Sequence, residues 1–400
     1  MRSKINYSLF ILLCLLPVLL VTGPFLPDFV ASLIGLFFLL NIFNKNFTFL
    51  ILNKYSLIFL FFCLSALLSS LLSDDIFLSF ESSLFYFRFY FFSLGGFILI
   101  SLYKNKINIL FLVMSFCMLI VSLDAMYEHI NGINIFGNSA FPGRLAGLFG
   151  DEWVIGAFLT RLLPIIFFLY LYYRLFENKN LKILFFVTIF FSISIIILSG
   201  ERAALILFII YSFSMYFIYI FKFIDYKKLF LLPFLILTIS LPFLLIDKSY
   251  NRLISNFNNH LSLNKSENPY LSFYSNSVQM FIEKPILGHG PNMFRLECNK
   301  YLSQKNKYGC NTHPHNYYFQ LLAENGIVGF SILLFFLFFV FKKLFYEIKN
   351  NKDSKHMFIS KISLLLCFII NIWPFIPTHS FYNNWISVLI CIPIIFYLKI

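Results

Sequence analysis

The sequence predicts an all-α polytopic membrane protein with about 12 transmembrane helices and one large loop outside the membrane. Of its 400 residues, 60% are hydrophobic and 21% are aromatic, whereas only 12% are charged. That leaves too little polar surface to cover a soluble protein of this length. Apolar runs long enough to cross a bilayer recur along the chain, which favours membrane-spanning helices.

Twelve apolar windows approach or exceed the ~17 residues that a helix needs to cross the hydrocarbon. They lie at 8–23, 28–43, 55–72, 85–102, 107–127, 152–173, 181–198, 203–221, 229–246, 326–341, 357–374 and 382–398. The first follows the basic residues Arg2 and Lys4, as a signal peptide would. No small-x-small cleavage site precedes the sequence GPFLPD, so we expect a retained helix. The predicted organisation is helices 1–9 in residues 1–246, a large loop with short helices in 247–325, and helices 10–12 in 326–400.

The distribution of Lys and Arg predicts the orientation of these helices, because cytoplasmic loops carry an excess of basic residues. With the amino terminus inside, nearly every lysine-bearing loop is cytoplasmic. The only basic residues in the short outer loops are then Arg144 and Arg202, and the other charged residues there are acidic. The same alternation places 247–316 outside. The net charge of +13 follows mostly from this bias, so it does not indicate nucleic-acid binding.

Two of the seven cysteines, Cys298 and Cys310, lie in the predicted outer loop, and the other five lie in apolar windows. Soluble cysteines on an oxidising side favour a disulfide, although two free thiols are the alternative. A bridge closing so short a loop would stabilise it by about 3 kcal/mol.

The stretch CNTHPHNYYFQLLAENGIVGF, residues 310–330, is polar and leads directly into an apolar window. Thr312 or His313 is expected to cap a helix with Pro314 in its first turn, and Asn325-Gly326 to end it. Helical spacing would then place His315 and His313 on opposite faces. A histidine at a helix N-terminus tends to stay neutral, so His315 is predicted to act as a general base.

Two other interpretations of these histidines stay open. His313 and His315 could form half of a zinc site with His289 of GHGPN as a third ligand. They could also be polar residues that merely cap a helix at the membrane surface.

Three arginines fall on the same predicted outer face as His315. Arg144 belongs to FPGRLAGLFGDE, Arg202 to SGERAAL and Arg295 to PILGHGPNMFR. Converging arginines suit phosphate, because the planar guanidinium binds its oxygens in a bidentate manner.

At these motifs the chain resembles the O-antigen ligase and O-antigen polymerase family of inner-membrane glycosyltransferases. PILGHGPNMF followed by HPHNYYFQLLAENGIVG is similar to the family's Gly-x-Gly turn, His-Asn helix and Glu-x-Gly-x-x-Gly. SGERAAL resembles its Ser-Gly-x-Arg, and GRLAGLF resembles its Arg-x-x-Gly-x-Phe. HPHN with a preceding cysteine is similar to a bacterial subgroup of ligases.

The resemblance implies a glycosyltransferase-C-like fold in the bacterial inner membrane, with a cytoplasmic amino terminus and a periplasmic active site. The implied reaction transfers a glycan from undecaprenyl diphosphate to lipid A–core or another glycan acceptor, with no metal or other cofactor. By position, His315 matches the catalytic histidine, and Arg202 and Arg144 match arginines that bind the diphosphate, with Arg295 as a third candidate. The supporting positions would be His313, Asn316, Glu324, Arg88, Gly288 and Gly290.

Two departures from the family pattern stand out. Asp151-Glu152 occupies the place where relatives often carry Pro-Asn after the Gly-x-Phe element. The long loop reads NPYLSFYSNS without the arginine that many relatives have there. One ligand of the diphosphate is therefore unassigned, and Arg252 or Arg295 would have to supply it.

The charged residues inside the apolar windows include Arg88, Asp124 and Arg161. Charges at membrane depth are costly and are usually paired or functional. We expect structural pairs, such as Asp124 with Arg88 or with Arg161. The alternative is that Arg88 contacts the diphosphate.

Four functions remain open at this point. A ligase and a polymerase share donor and mechanism and differ in the acceptor; the HPHN subgroup favours the ligase. A protein O-oligosaccharyltransferase belongs to the same class. A transporter of lipid-linked sugars is less favoured, because it would place charges near the bilayer midplane and not at one face.

Overall fold

The computed structural model describes residues 2–42, 50–51, 53–138, 143–223, 269–301, 310–350 and 352–398. The predicted helix at 229–246, Arg252 and much of the predicted outer loop lie outside these ranges. Statements about the structure below refer to the described ranges.

Fourteen α-helices occur in the described residues, with short 3₁₀ turns between some of them. They are α1 Arg2–Leu19, α2 Phe25–Asn41, α3 Lys54–Leu71, α4 Ile76–Ser83, α5 Phe87–Leu102, α6 Ile107–Asn131, α7 Ile155–Tyr172, α8 Lys179–Leu198, α9 Arg202–Phe223, α10 Pro269–Glu283, α11 Phe294–Glu297, α12 Tyr317–Asn350, α13 Lys355–Asn371 and α14 Asn384–Tyr397.

The all-α polytopic class predicted from the sequence is confirmed. Seven helical segments are long and apolar enough to cross a membrane, and three shorter helices are also apolar. Every predicted window other than 229–246 falls on a helix. The count of twelve stays a prediction, because that window is not among the described residues.

Polar side chains mark where several helices begin. Asn53 caps α3, Asp75 caps α4, Asn178 caps α8 and Asn383 caps α14, and in each case the side-chain oxygen accepts a backbone N–H of the first turn. Such caps satisfy donors that would otherwise stay unpaired at the helix end. The ends of the bundle are therefore fixed by local sequence.

Helix α7 lies at the centre of the bundle. Its apolar window is 89% buried, the highest share among the candidate spans. It packs against α13, α8 and α9, and the Ser363 hydroxyl of α13 donates to the Pro164 carbonyl of α7 at 2.9 Å. Any polar group on α7 is therefore enclosed by other helices and not exposed to lipid.

The loops that the charge pattern assigns to the outer side contact one another at one end of the bundle. The Leu145 amide donates to the Ser199 carbonyl at 3.2 Å, and the Thr378 amide donates to the His315 carbonyl at 2.8 Å. The Lys284 ammonium binds the Asp74 carboxylate at 2.9 Å. These contacts agree with the predicted alternation, whereas the side of the membrane that this end faces stays a prediction.

The expected pairing of the charges inside the apolar windows is wrong. Arg88 forms a bidentate ion pair with Asp28 of α2, at 2.8 Å and 3.1 Å, and Asn384 also donates to that carboxylate. Asp124 accepts the Ile135 amide at 3.0 Å and forms no ion pair within the described part of the chain. The charge of Arg88 is therefore balanced inside the fold by a residue of a neighbouring helix.

Helix α12 is broken at Gly326, which confirms the punctuation predicted at Asn325-Gly326. Gly326 has φ 61° and ψ −160°, and a Cβ there would lie 2.4 Å from the Ile286 carbonyl oxygen. The backbone groups at the break form hydrogen bonds with the segment that precedes α11. The Ile327 amide donates to Pro285 O at 2.8 Å, and the Gly290 amide donates to Glu324 O at 2.8 Å. A short helix, 317–325, is thereby separated from the long membrane helix that follows.

Helix α5 contacts α2 closely at Gly95, and this contact generates a test. A Cβ at Gly95 would lie 2.4 Å from the Ile34 carbonyl oxygen of α2, whereas a Cβ at Gly96 would meet the Ile395 side chain of α14, with Cδ1 at 2.7 Å and Cγ1 at 3.0 Å. We expect Gly95→Ala to lower the free energy of unfolding by about 1–3 kcal/mol, because backbone cannot move aside.

Gly96→Ala is the matched control, since the end of the Ile395 side chain can rotate and both changes gain the same helix propensity. Thermal unfolding of the purified protein in detergent measures both. Equal stability of the two variants would contradict this account of the packing.

Candidate active site

The loop Cys310–Asn316 carries two of the candidate residues, and it is held at both ends. Cys298 and Cys310 form a disulfide with a Cα–Cα distance of 5.9 Å. At the other end Asn316 caps α12, accepting the Tyr318 amide at 2.9 Å, while its Nδ2 donates to Pro374 O at 2.7 Å. The prediction that Thr312 or His313 caps this helix is wrong. Asn316 is the cap, because its short amide side chain reaches the first-turn amides.

His315 lies immediately before this cap with φ 56°, a left-handed conformation that is uncommon outside glycine. Its ring packs against Tyr270 and Phe273 of α10, each with ring centroids 5.9 Å away. Its Nε2 accepts a hydrogen bond from Asn311 Nδ2 at 2.9 Å. Burial lowers the pKa of His315, and a hydrogen bond to the Thr378 backbone opposes the shift. The imidazole is therefore neutral at pH 7, and its Nε2 lone pair is held by the Asn311 amide.

The expectation that His313 and His315 lie on opposite faces is wrong, because neither residue is in the helix. Their ring centroids are 4.2 Å apart. Burial, followed by the proximity of His315 and His379, lowers the pKa of His313 to about 3. Its Nε2 atom is buried and has no hydrogen-bond partner among the described groups.

A third histidine joins the pair, and the sequence interpretation missed it. His379 lies in the loop between α13 and α14, one residue after Thr378, whose amide donates to His315. Burial lowers the pKa of His379 to about 4, with further contributions from Arg161 and His315. The available signal was its position in IPTHSFYNNW, a short polar segment between two apolar windows.

His289, the third ligand of the zinc alternative, does not join this cluster. It is buried, its Nε2 is 3.0 Å from the Met280 carbonyl oxygen and its Nδ1 is 3.4 Å from Glu297. Within the described ranges, no three His, Cys, Asp or Glu side chains are grouped as metal ligands. The zinc geometry considered for His289, His313 and His315 is therefore not formed.

The motif loops of Arg144 and Arg202 meet at the N-terminus of α7. Glu201 accepts the Gly156 amide at 2.5 Å and the Ala157 amide at 3.1 Å, so its carboxyl group caps α7. Burial raises the pKa of Glu201 to about 7, although both backbone hydrogen bonds and the charges of Arg144 and Arg161 oppose the rise. Glu201 therefore lies between two guanidinium groups.

Arg144 lies over the Trp153 ring, 5.2 Å from its centroid, and its buried Nε has no hydrogen-bond partner among the described groups. Arg202 is the first residue of α9 and is half-buried beside Glu201. Arg295 is exposed on α11, and its charge acts on both His313 and Glu324. The three predicted arginines are therefore at the end of the bundle that carries the histidines.

Gly288, Gly290 and Glu324 hold together the backbone segments that carry the candidate residues. A Cβ at Gly288 would lie 2.5 Å from the Glu324 carbonyl carbon, and one at Gly290 would lie 2.6 Å from Ser79 Oγ. The buried Glu324 carboxylate accepts the Phe294 amide at 3.1 Å and Gln320 Nε2 at 2.9 Å. These contacts attach α11, which carries Arg295, to the helix that follows His315.

The described structure also holds an apolar cavity, between α3, α5, α12, α13 and α14. The hydroxyls on its wall are already paired. Tyr86 contacts Phe381 O and Ser387 Oγ, Tyr90 contacts Ser56 Oγ, and Tyr397 donates to Tyr55. The cavity offers no acid or base, so we assign the chemistry to the histidine and arginine cluster.

The O-antigen ligase family model matches residues 187–334, which include Arg202, Arg295, His315 and Glu324. The family resemblance predicted from the motifs is thereby confirmed, and it supports a glycosyltransferase of the ligase or polymerase type. Arg144, Arg161 and His379 lie outside the matched span. Comparison with curated proteins gives no match.

The low pKa of His379 predicts a pH dependence of stability. Between pH 6.5 and about 4 the unfolded histidine binds a proton that the folded one does not, so stability falls as the pH is lowered through this window. We expect His379→Gln to remove up to about 1 kcal/mol per pH unit of this slope.

Protonation of the Glu201 carboxyl changes stability in the opposite direction between pH 4.5 and about 7. Because the folded pKa of Glu201 is raised, stability rises as the pH is lowered through this window. For that reason the measurement is the difference between the wild-type and His379→Gln unfolding curves at each pH. Parallel curves from pH 6.5 to 4 would show that His379 is not protected from protonation.

Proposed function

We propose that this protein is an O-antigen ligase-like glycosyltransferase that moves a glycan from undecaprenyl diphosphate to lipid A–core. The reaction would take place on the periplasmic face of the bacterial inner membrane, as the family resemblance implies. The observation that carries the proposal is the position of a neutral histidine, His315, at the same end of the bundle as Arg144, Arg202 and Arg295.

In this proposal His315 is the general base. Its Nε2 takes the proton of the acceptor hydroxyl, and the hydroxyl oxygen attacks the anomeric carbon of the donor sugar. The bond between that carbon and the phosphate oxygen breaks, and its electron pair leaves with the diphosphate. In-line attack inverts the configuration at the sugar. A base is useful at neutral pH only if it is unprotonated, and the burial of His315 maintains that state.

The arginines would stabilise the negative charge that builds on the leaving diphosphate. Preorganised positive charge at a departing phosphate lowers the barrier, and guanidinium groups can supply it without a bound ion. Arg144 acts on Glu201, which caps α7, and Arg202 is the residue after Glu201. The charge of Arg295 acts on His313. No metal or other cofactor is part of the proposed reaction.

An O-antigen polymerase is the alternative function, since it would use the same donor, base and arginines with a different acceptor. A protein O-oligosaccharyltransferase is less favoured and would use the same donor with a protein acceptor. A lipid-linked-sugar transporter is also less favoured, because the ionisable cluster is at one end of the bundle. The lipopolysaccharide of a deletion strain, separated by gel electrophoresis, distinguishes the first two. Loss of all core-linked glycan with carrier-linked polymer retained means a ligase, and core bands bearing a single repeat mean a polymerase.

Replacing the proposed base should stop transfer without harming the fold. We expect His315→Ala to lower the turnover number by about 10²–10⁴-fold, the usual contribution of a general base. His313→Gln should cause a smaller loss, because the His313 ring packs against His315 but is not the proposed proton acceptor, which is His315 Nε2 beside Asn311. Turnover is measured with purified carrier-linked glycan. Unchanged turnover of a correctly folded His315→Ala variant would exclude His315 as the base.

The arginines generate a second test, based on charge and shape. Lysine keeps the charge of arginine but loses its planar fork. We therefore expect Arg202→Ala to lose nearly all transfer and Arg202→Lys to keep weak activity, with Arg144 variants in the same order. Arg88→Lys is the control, because Arg88 pairs with Asp28 outside the cluster. Near-wild-type turnover in Arg202→Ala would remove Arg202 from the proposed site.

A further inference from the structure

Arg161 is a buried charge whose role the family motifs leave unassigned. Its side chain lies in the central helix α7, only 4% exposed. The Nη1 atom folds back to the Ala157 carbonyl oxygen at 3.1 Å, which turns the guanidinium towards the histidine end of the helix. Its buried Nε has no hydrogen-bond partner, and it forms no ion pair with a described carboxylate. A charge held in this way is costly, and buried charges of this kind are usually paired or functional.

A second polar group faces the same place. Tyr317, the first residue of α12, is fully buried, and its hydroxyl has no hydrogen-bond partner of normal geometry among the described groups. The Arg161 guanidinium acts on this hydroxyl through its charge and as a hydrogen-bond donor, and its charge also acts on His379. Arg161 and Tyr317 are therefore next to the histidine cluster, and the Nε–H of Arg161 and the O–H of Tyr317 remain without an acceptor among the described groups.

The charge near Arg161 does not balance within the described residues. The carboxyl group that interacts with Arg161 is Glu201, which is already bonded to the Gly156 and Ala157 amides and is shared with Arg144. One carboxylate against two guanidinium groups leaves at least one positive charge uncompensated. Excess positive charge with unused donors is the arrangement that binds an anion.

We propose that Arg161 and Tyr317 bind the phosphate that is attached directly to the donor sugar. This inference rests on the proposed function, and it assigns Arg161 to the chemistry instead of to a structural ion pair. The reacting carbon must be within reach of His315, and Tyr317 follows His315 by two residues. The sugar-linked phosphate therefore lies on the Tyr317 side of the cluster. Arg144 and Arg202, whose loops are joined by the hydrogen bond between Leu145 and Ser199, bind the phosphate attached to the lipid.

The step assigned to these residues balances without a further reagent. As the bond between the anomeric carbon and the phosphate oxygen breaks, the electron pair stays on that oxygen. The Tyr317 hydroxyl and Arg161 Nε donate hydrogen bonds to the phosphate, and neither gives up its proton. The proton released in the reaction comes from the acceptor hydroxyl and goes to His315.

The test compares Tyr317→Phe and Arg161→Lys with wild type, and it uses Tyr318→Phe as the matched control. Tyr318 is the next residue, and its hydroxyl donates to the Ile372 carbonyl at 2.7 Å, so it has a structural role only. The substrate is purified undecaprenyl diphosphate-linked glycan with its acceptor. We measure kcat and KM separately, together with the thermal midpoint with and without undecaprenyl diphosphate.

We expect Tyr317→Phe to lower kcat on the order of 10-fold or more, with little change in KM or in the thermal midpoint. Arg161→Lys should lower kcat on the order of 100-fold and reduce the stabilisation by undecaprenyl diphosphate. Tyr318→Phe should keep the wild-type kcat.

Three results would overturn the inference. If wild type transfers glycan and both variants keep its kcat, the assignment of Arg161 and Tyr317 falls while the proposed function stands. If Tyr318→Phe loses as much kcat as Tyr317→Phe, the loss reflects packing of α12 and the assignment also falls. If wild-type protein neither transfers glycan nor is stabilised by undecaprenyl diphosphate, the proposed function itself fails, and the inference fails with it.

Discussion

A break in a buried helix exposes backbone groups, and these groups must find partners when no water is available. At Gly326 the partners come from the segment Pro285–Gly290, which lies across the break with glycines at its closest approaches. This pairing fixes the segment after α10 to the first turns of α12. The site depends on it, because the segment leads into α11 and the disulfide, and the disulfide holds the loop that carries His313 and His315. The break is thus what attaches an extramembrane loop rigidly to a membrane helix.

The positive charge of buried arginines is balanced to different extents at two places in this protein. At Arg88 the fold provides its own counter-ion, Asp28, with two-point geometry and a further hydrogen bond from Asn384. At Arg161 and Arg144 it provides only a shared carboxyl group, Glu201, whose oxygens are already occupied by the amides of α7. The first arrangement stabilises the contact between helices. The second leaves positive charge available to a ligand, and the histidines lie next to this second arrangement.

The histidines and the arginines depend on each other electrostatically. Neighbouring positive charge and burial both disfavour an imidazolium, so the cluster keeps His313 and His379 unprotonated at neutral pH. The same positive charge attracts an anionic donor. A bound diphosphate would offset the charge of the arginines and would thereby make it easier for His315 to accept a proton. In the proposed reaction, donor binding therefore prepares the base.

The sequence alone determined the membrane class, the helix windows within the described residues, the placing of Arg144 and Arg202 at one end of the bundle, and the punctuation at Gly326. Each of these follows from composition, charge distribution or local backbone preference, which act over a few residues. Tertiary structure decided the rest. It paired Arg88 with Asp28, 60 residues away, where the pattern suggested Asp124. It moved the helix cap from Thr312 or His313 to Asn316, whose side chain also donates to the Pro374 carbonyl. It also brought His379, from the loop between α13 and α14, next to His315 and to Arg161 of α7. Local sequence patterns do not predict these long-range contacts. They depend on which helix faces pack together, and that packing is determined by the bundle as a whole.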